Sequence, residues 1–119
     1  FRRVLFRSGR TDTPLGRVRA TRSGRTAYYE PGLHRFVVDF EGESLARRPA
    51  DAKLAPVVTV GEGATLNHAS IQRNPENATW RVAFTIHPGE TVRPVELRCF
   101  IRGEDGAALT ETWSHLWSR

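Results

Sequence analysis

The chain has 119 residues, 39% of them hydrophobic and 26% charged, which fits one soluble globular domain and excludes two complete ones. A core can form at this length without a metal or a staple, and the single cysteine, Cys99, excludes an intrachain disulfide. No apolar run approaches the about 18 residues of a membrane span, and the arginine-rich N-terminus lacks the apolar block of a signal peptide.

The net charge of +5 is unevenly placed. Residues 1–25 hold eight arginines against one acid, Asp12, whereas the remainder carries ten basic and twelve acidic residues. The body of the chain is therefore mildly acidic. No basic face interleaved with stacking aromatics occurs beyond residue 30, which argues against a nucleic-acid partner.

The first eight residues, FRRVLFRS, match one reading frame of a common sequencing-library adapter, and residues 1–8 are set aside as a scar. Residues 9–30 do not fit the strand-rich pattern that follows. Within them Gly16 to Arg22 reads as a strand with Val18 and Ala20 inward, set apart by Gly24, Pro31 and Gly32. It is expected to end an upstream β-sandwich domain, with Thr26 to Gly32 as linker and Tyr28 and Tyr29 packing at the junction.

Residues 31–119 read as one domain. Leu33 to Phe40 places Phe36, Val38 and Phe40 on one face and Arg35, Val37 and Asp39 on the other, the period of two of a half-buried strand. Residues 41–56 read as a crossing loop with one helical turn. A short strand over Val57 to Val60 follows, then a polar, solvent-facing or edge strand over Thr65 to Arg73 and a turn at Asn74-Pro75-Glu76-Asn77. Thr79 to His87 is the clearest alternation, with Trp80, Val82, Phe84 and Ile86 inward. Pro94 to Arg102 turns Val95, Leu97, Cys99 and Ile101 inward, and a last strand is expected from Ala107 to His115 or beyond. Short strands at regular spacing, with no helical period, predict an all-β fold: an immunoglobulin-like antiparallel β-sandwich.

Candidate chemistry is sparse. His34, His68, His87 and His115 are too far apart in sequence to suggest a metal-ligand motif, so no metal and no cofactor is expected. Asp39 with Glu41, or Glu96 with Glu111, could supply a carboxylate pair for glycoside chemistry, yet solvated strand faces carry acids routinely. Cys99 alternates with apolar residues as a buried side chain does. Asn77-Ala78-Thr79 is a glycosylation sequon. Trp113 and Trp117 are candidates for sugar stacking or, by preference, for core or interdomain packing. No catalytic residue is assigned.

Three blocks in order carry a family resemblance: HRFVVDFEGESLARRPADAKLAPVVTV (34–60), IQRNPENATWRVAFTIHP (71–88) and PVELRCFIRGEDGAALTETWSHLW (94–117). Together with GRVRATRSGR upstream, they resemble the C-terminal domain of the periplasmic glucan biosynthesis proteins G and D of Gram-negative bacteria. The resemblance implies a two-domain periplasmic protein. In it a large upstream β-sandwich acts on a β-1,2-linked, β-1,6-branched glucan as hydrolase or transglycosylase, through acids absent here. It implies as partners that upstream domain, the β-glucan and a membrane glucan synthase. The leading expectation is an accessory domain that is not catalytic alone, and the alternative is a free-standing immunoglobulin-like carbohydrate-binding module.

Overall fold

The computed structural model describes residues 15–25, 32–90 and 92–118. Among the described residues, seven strands and one short helix follow in chain order: β1 Arg17–Arg25, β2 His34–Glu41, α1 Glu43–Ala46, β3 Ala55–Val60, β4 Thr65–Asn74, β5 Thr79–His87, β6 Val95–Arg102 and β7 Trp113–Trp117. They form a four-stranded sheet in the order β1-β2-β5-β4 and a three-stranded sheet in the order β3-β6-β7. Every strand pairing is antiparallel. Lettered A to G along the chain, the two sheets are ABED and CFG, the topology of a constant-type immunoglobulin sandwich. The fold is all-β, as the strand spacing predicts.

Period-two patterning accounts for the core. Phe36, Val38 and Phe40 of β2, Trp80, Val82, Phe84 and Ile86 of β5, and Val95, Leu97, Cys99 and Ile101 of β6 are all buried in one cluster between the sheets. Each such large apolar side chain contributes about 1.5–3 kcal/mol of transfer free energy. The helical turn expected in the crossing is α1, whose Leu45 is fully buried and whose Leu45 carbonyl accepts the Trp80 indole N–H at 3.2 Å. The polar strand β4 lies at a sheet edge, as its composition requires.

Two expectations need correction. Residues 17–25, read from sequence as standing outside the sandwich, form β1 and pair with β2 from Arg17 opposite Glu41 to Arg25 opposite His34. A bulge between Val18 and Ala20 changes which residues face inward: Val18, opposite Phe40, packs on the core, whereas Ala20 lies opposite Asp39 on the outer face. The inward row then continues through Thr21 and Ser23, opposite Val38 and Phe36. The last strand also begins later than expected. Residues 107–112 make only isolated bridges, Ala108 to Arg102 and Thr110 to Gly16, before β7 pairs with β6. The Gly16–Thr110 bridge is parallel and ties the start of β1 to the other sheet.

Candidate functional site

The carboxylates are held in separate structural contacts. Asp39 accepts two hydrogen bonds from Arg81, from Nε at 2.8 Å and Nη2 at 3.2 Å. That bond and charge hold the Arg81 guanidinium above its ordinary range, against a smaller opposing effect of burial. Glu41 lies 3.5 Å from Arg17 and 3.8 Å from Arg19. Glu96 pairs with Arg98, and the Glu111 carboxylate accepts the Val18 backbone N–H at 2.9 Å. Neither pair singled out from sequence forms an isolated acid and base across a cleft.

Among the described residues, no group of three or more His, Cys, Asp or Glu side chains could hold a metal ion. Cys99 is buried, and burial pushes its thiol up to about 12. In the sequon, the Asn77 side-chain oxygen accepts bonds from the Thr79 backbone N–H and hydroxyl, and Thr79 is itself buried. An open depression of about 370 Å³ on the four-stranded sheet is lined by Arg35, Asn67, His68, Ser70 and Thr85.

A row of rings lines the seam where the β1 edge of one sheet approaches the β7 edge of the other. Alternation along β7 turns Trp113, His115 and Trp117 to the same side. Trp113 is 7% exposed and packs at centroid distances of 6.0 Å from Phe36 and 5.9 Å from Phe84, the latter edge-on. Its indole N–H donates to the Thr21 hydroxyl across the seam at 3.1 Å. His115 stacks on Trp113 at 5.6 Å with an interplanar angle of 13°, yet it is exposed, as are Thr21 and Ser23 opposite. Trp117 is half-buried, 5.4 Å from His34, which lies 5.0 Å from Phe36.

The seam is thus closed at Trp113 and open at His115. Trp113 and Trp117 are brought together in this row; Tyr28 and Tyr29 lie outside the described residues. Sequence reasoning missed His115, His34, Thr21 and Ser23 as members of the row. The alternation Trp113, His115, Trp117 was the available signal, but the β1 residues depend on the bulge and could not be read from their polarity.

Topology and site together define an immunoglobulin-like β-sandwich module. A family model described as "Periplasmic glucan biosynthesis protein, MdoG" matches residues 3–117, and the chain belongs to that family. The match begins inside the eight residues read as an adapter scar. Glucans biosynthesis protein D of Pseudomonas fluorescens Pf-5 is 42% identical over 112 residues, covering 85% of this chain and 20% of the relative. The D protein of Pseudomonas savastanoi pv. phaseolicola is 40% identical over 114 residues, covering 87% and 21%. Glucans biosynthesis protein G of Ralstonia nicotianae is 38% identical over 80 residues, covering 67% and 16%. The chain spans about a fifth of the length of the D-type relatives it matches.

Proposed function

We propose that this chain is the C-terminal accessory domain of a two-domain periplasmic protein that builds osmoregulated glucans, packing on an upstream domain that acts on the β-1,2-linked backbone. The observation that carries this reading is the family match across residues 3–117 in a chain one-fifth as long as its D-type relatives. The engagement of Asp39 by Arg81, of Glu41 by Arg17 and Arg19, and of Glu111 by a backbone amide supports it, because those acids serve the sandwich itself. The periplasm is the compartment of the whole protein, and a membrane glucan synthase is its partner in the pathway. A fold that hosts many activities does not supply the function alone, so the family match carries it.

Incubating the 119-residue chain with linear β-1,2-glucan and measuring new reducing ends tests the assignment. The expected result is no release by the chain alone and measurable association when the upstream domain is supplied as a separate polypeptide. Sustained glucan cleavage by the chain alone would overturn it. The reading as a carbohydrate-binding module draws on one observation, the ring row of β7.

A further inference from the structure

The outer face of the four-stranded sheet holds a concavity whose charge the fold does not use. Arg35 of β2, Thr85 of β5 and His68 of β4 stand in one cross-strand row, since Thr85 lies opposite Arg35 on one side and His68 on the other. In the next row Ala83 is flanked by Val37 and Ser70. A methyl group at that central position leaves the floor low, and the result is the depression of about 370 Å³. The bulge between Leu66 and His68 completes one wall. It turns His68 outward beside Asn67, whose side-chain amide donates to the Thr85 hydroxyl oxygen at 3.1 Å. We propose that this depression is an anion site that takes a phosphate group, with Arg35 as its charged anchor and His68, Ser70 and Thr85 as further hydrogen-bond donors.

Arg35 carries the assignment. Other arginines of the same sheet are engaged, Arg81 by Asp39 and both Arg17 and Arg19 by Glu41. Arg35 is exposed and, among the described residues, has neither a hydrogen bond nor an ion pair. On its β1 side it faces Gly24, where an added Cβ would meet nothing within 4 Å, so the approach from that strand is open. The lining is one-sided in charge: its ionisable side chains are Arg35 and His68, with no carboxylate. Arg22, opposite Val37 at the margin, adds a further positive charge. The first carboxylate along β2 from Arg35 is Asp39, four residues or roughly 13 Å away, and Arg81 already holds it. The arrangement of donors then selects among anions. They come from three strands: the guanidinium from β2, the Thr85 hydroxyl proton from β5, and the His68 ring N–H and Ser70 hydroxyl from β4. Across Thr85 the backbones of Arg35 and His68 stand roughly 10 Å apart, a span that a tetrahedral oxyanion fills with oxygens turned toward each strand. A planar carboxylate is satisfied by the guanidinium alone. The assignment makes no use of the glucan reading.

The test titrates the 119-residue chain with inorganic phosphate and with phenyl phosphate at constant ionic strength, following backbone amide shifts and heat. Saturable binding is expected, with a Kd on the order of 1 mM and shifts gathered on residues 35, 67–70 and 83–85. Tighter binding of phenyl phosphate would identify a phosphate monoester as the ligand and tighter binding of inorganic phosphate the free ion; both results support the site. Arg35→Gln should weaken affinity about tenfold, the scale of one charge-assisted contact, and His68→Ala about threefold. Ala83→Val keeps every charge but fills the floor, and it should abolish saturation. Arg102→Gln, which removes an exposed arginine from the other sheet, should leave affinity unchanged. If Ala83→Val does not fold, Arg35→Gln decides alone, since an exposed side chain is changed without a core cavity. Absence of saturable binding by the folded chain overturns the proposal, as do binding that Arg35→Gln leaves intact, acetate binding as tightly as phosphate, and shifts that gather on residues 17–22. None of those results bears on association with the upstream domain, so the two readings fail separately.

Discussion

Cys99 shows how a single inward position of β6 fixes a chemical property. It lies opposite Val58 on one side and Trp113 on the other, so its thiol sits where the core meets the ring row. Burial raises that thiol from its ordinary value of 9.0 to about 12. In the unfolded chain the thiol ionises near its ordinary value, so between about pH 9 and pH 12 the folded state binds one more proton than the unfolded state. Its contribution is fully present below that window and declines as pH rises through it, by about 1.4 kcal/mol per pH unit. Urea denaturation at about pH 8 and about pH 10 should show this loss in the parent chain and a smaller one in Cys99→Val. Equal losses in both would mean that the thiol titrates alike folded and unfolded. The same burial predicts that iodoacetamide labels Cys99 only after unfolding.

At the scale of elements, the turn from β2 into α1 depends on two glycines set back to back. Gly42 has a φ of 145°, and a Cβ placed on it would lie 2.7 Å from the Gly16 Cα. The obstacle is backbone, so no rotamer change relieves it, and Gly16 is itself pinned by hydrogen bonds to Leu109 and Glu111. Gly42→Ala should therefore cost about 2 kcal/mol or more, read as a lower denaturant midpoint with an unchanged slope. A loss within about 0.5 kcal/mol would show that the junction yields easily. The neighbouring strands explain what the sequence could reveal. β2, β5 and β6 were legible because each puts bulky apolar residues on one face only, so a period of two is visible without knowing the partner strand. β1 was legible as a strand with Val18 inward but not as part of this sandwich, because its inward row after Val18 is Thr21 and Ser23, and the bulge that selects them depends on pairing with β2. Half of the ring-lined seam was legible for the same reason: Trp113 and Trp117 stand out on β7, while Thr21 and Ser23 look like any polar strand.

For the molecule as a whole, β1 joins the two sheets. Along β2 it supplies the edge of the four-stranded sheet, and at its start Gly16 donates to the Leu109 carbonyl and accepts from the Glu111 amide, both on the approach to β7. Val18 N–H is capped by the Glu111 carboxylate, and Thr21 holds the Trp113 indole. These ties make the strand part of the same cooperative unit as the core. Deleting residues 1–31 should then do more than shorten an arm: β2 becomes a bare edge, Val18 leaves the core, and the Trp113 N–H loses its protein acceptor. A loss of about 3 kcal/mol or more is expected, a large share of the about 5–15 kcal/mol that holds a domain of this kind, together with concentration-dependent association through the exposed edge. Thermal unfolding and size-exclusion chromatography of the truncated and parent chains measure both. Deleting residues 1–8 alone serves as the control and should leave the midpoint unchanged. If the longer deletion also left it unchanged, β1 would be a strand docked on an already complete sandwich.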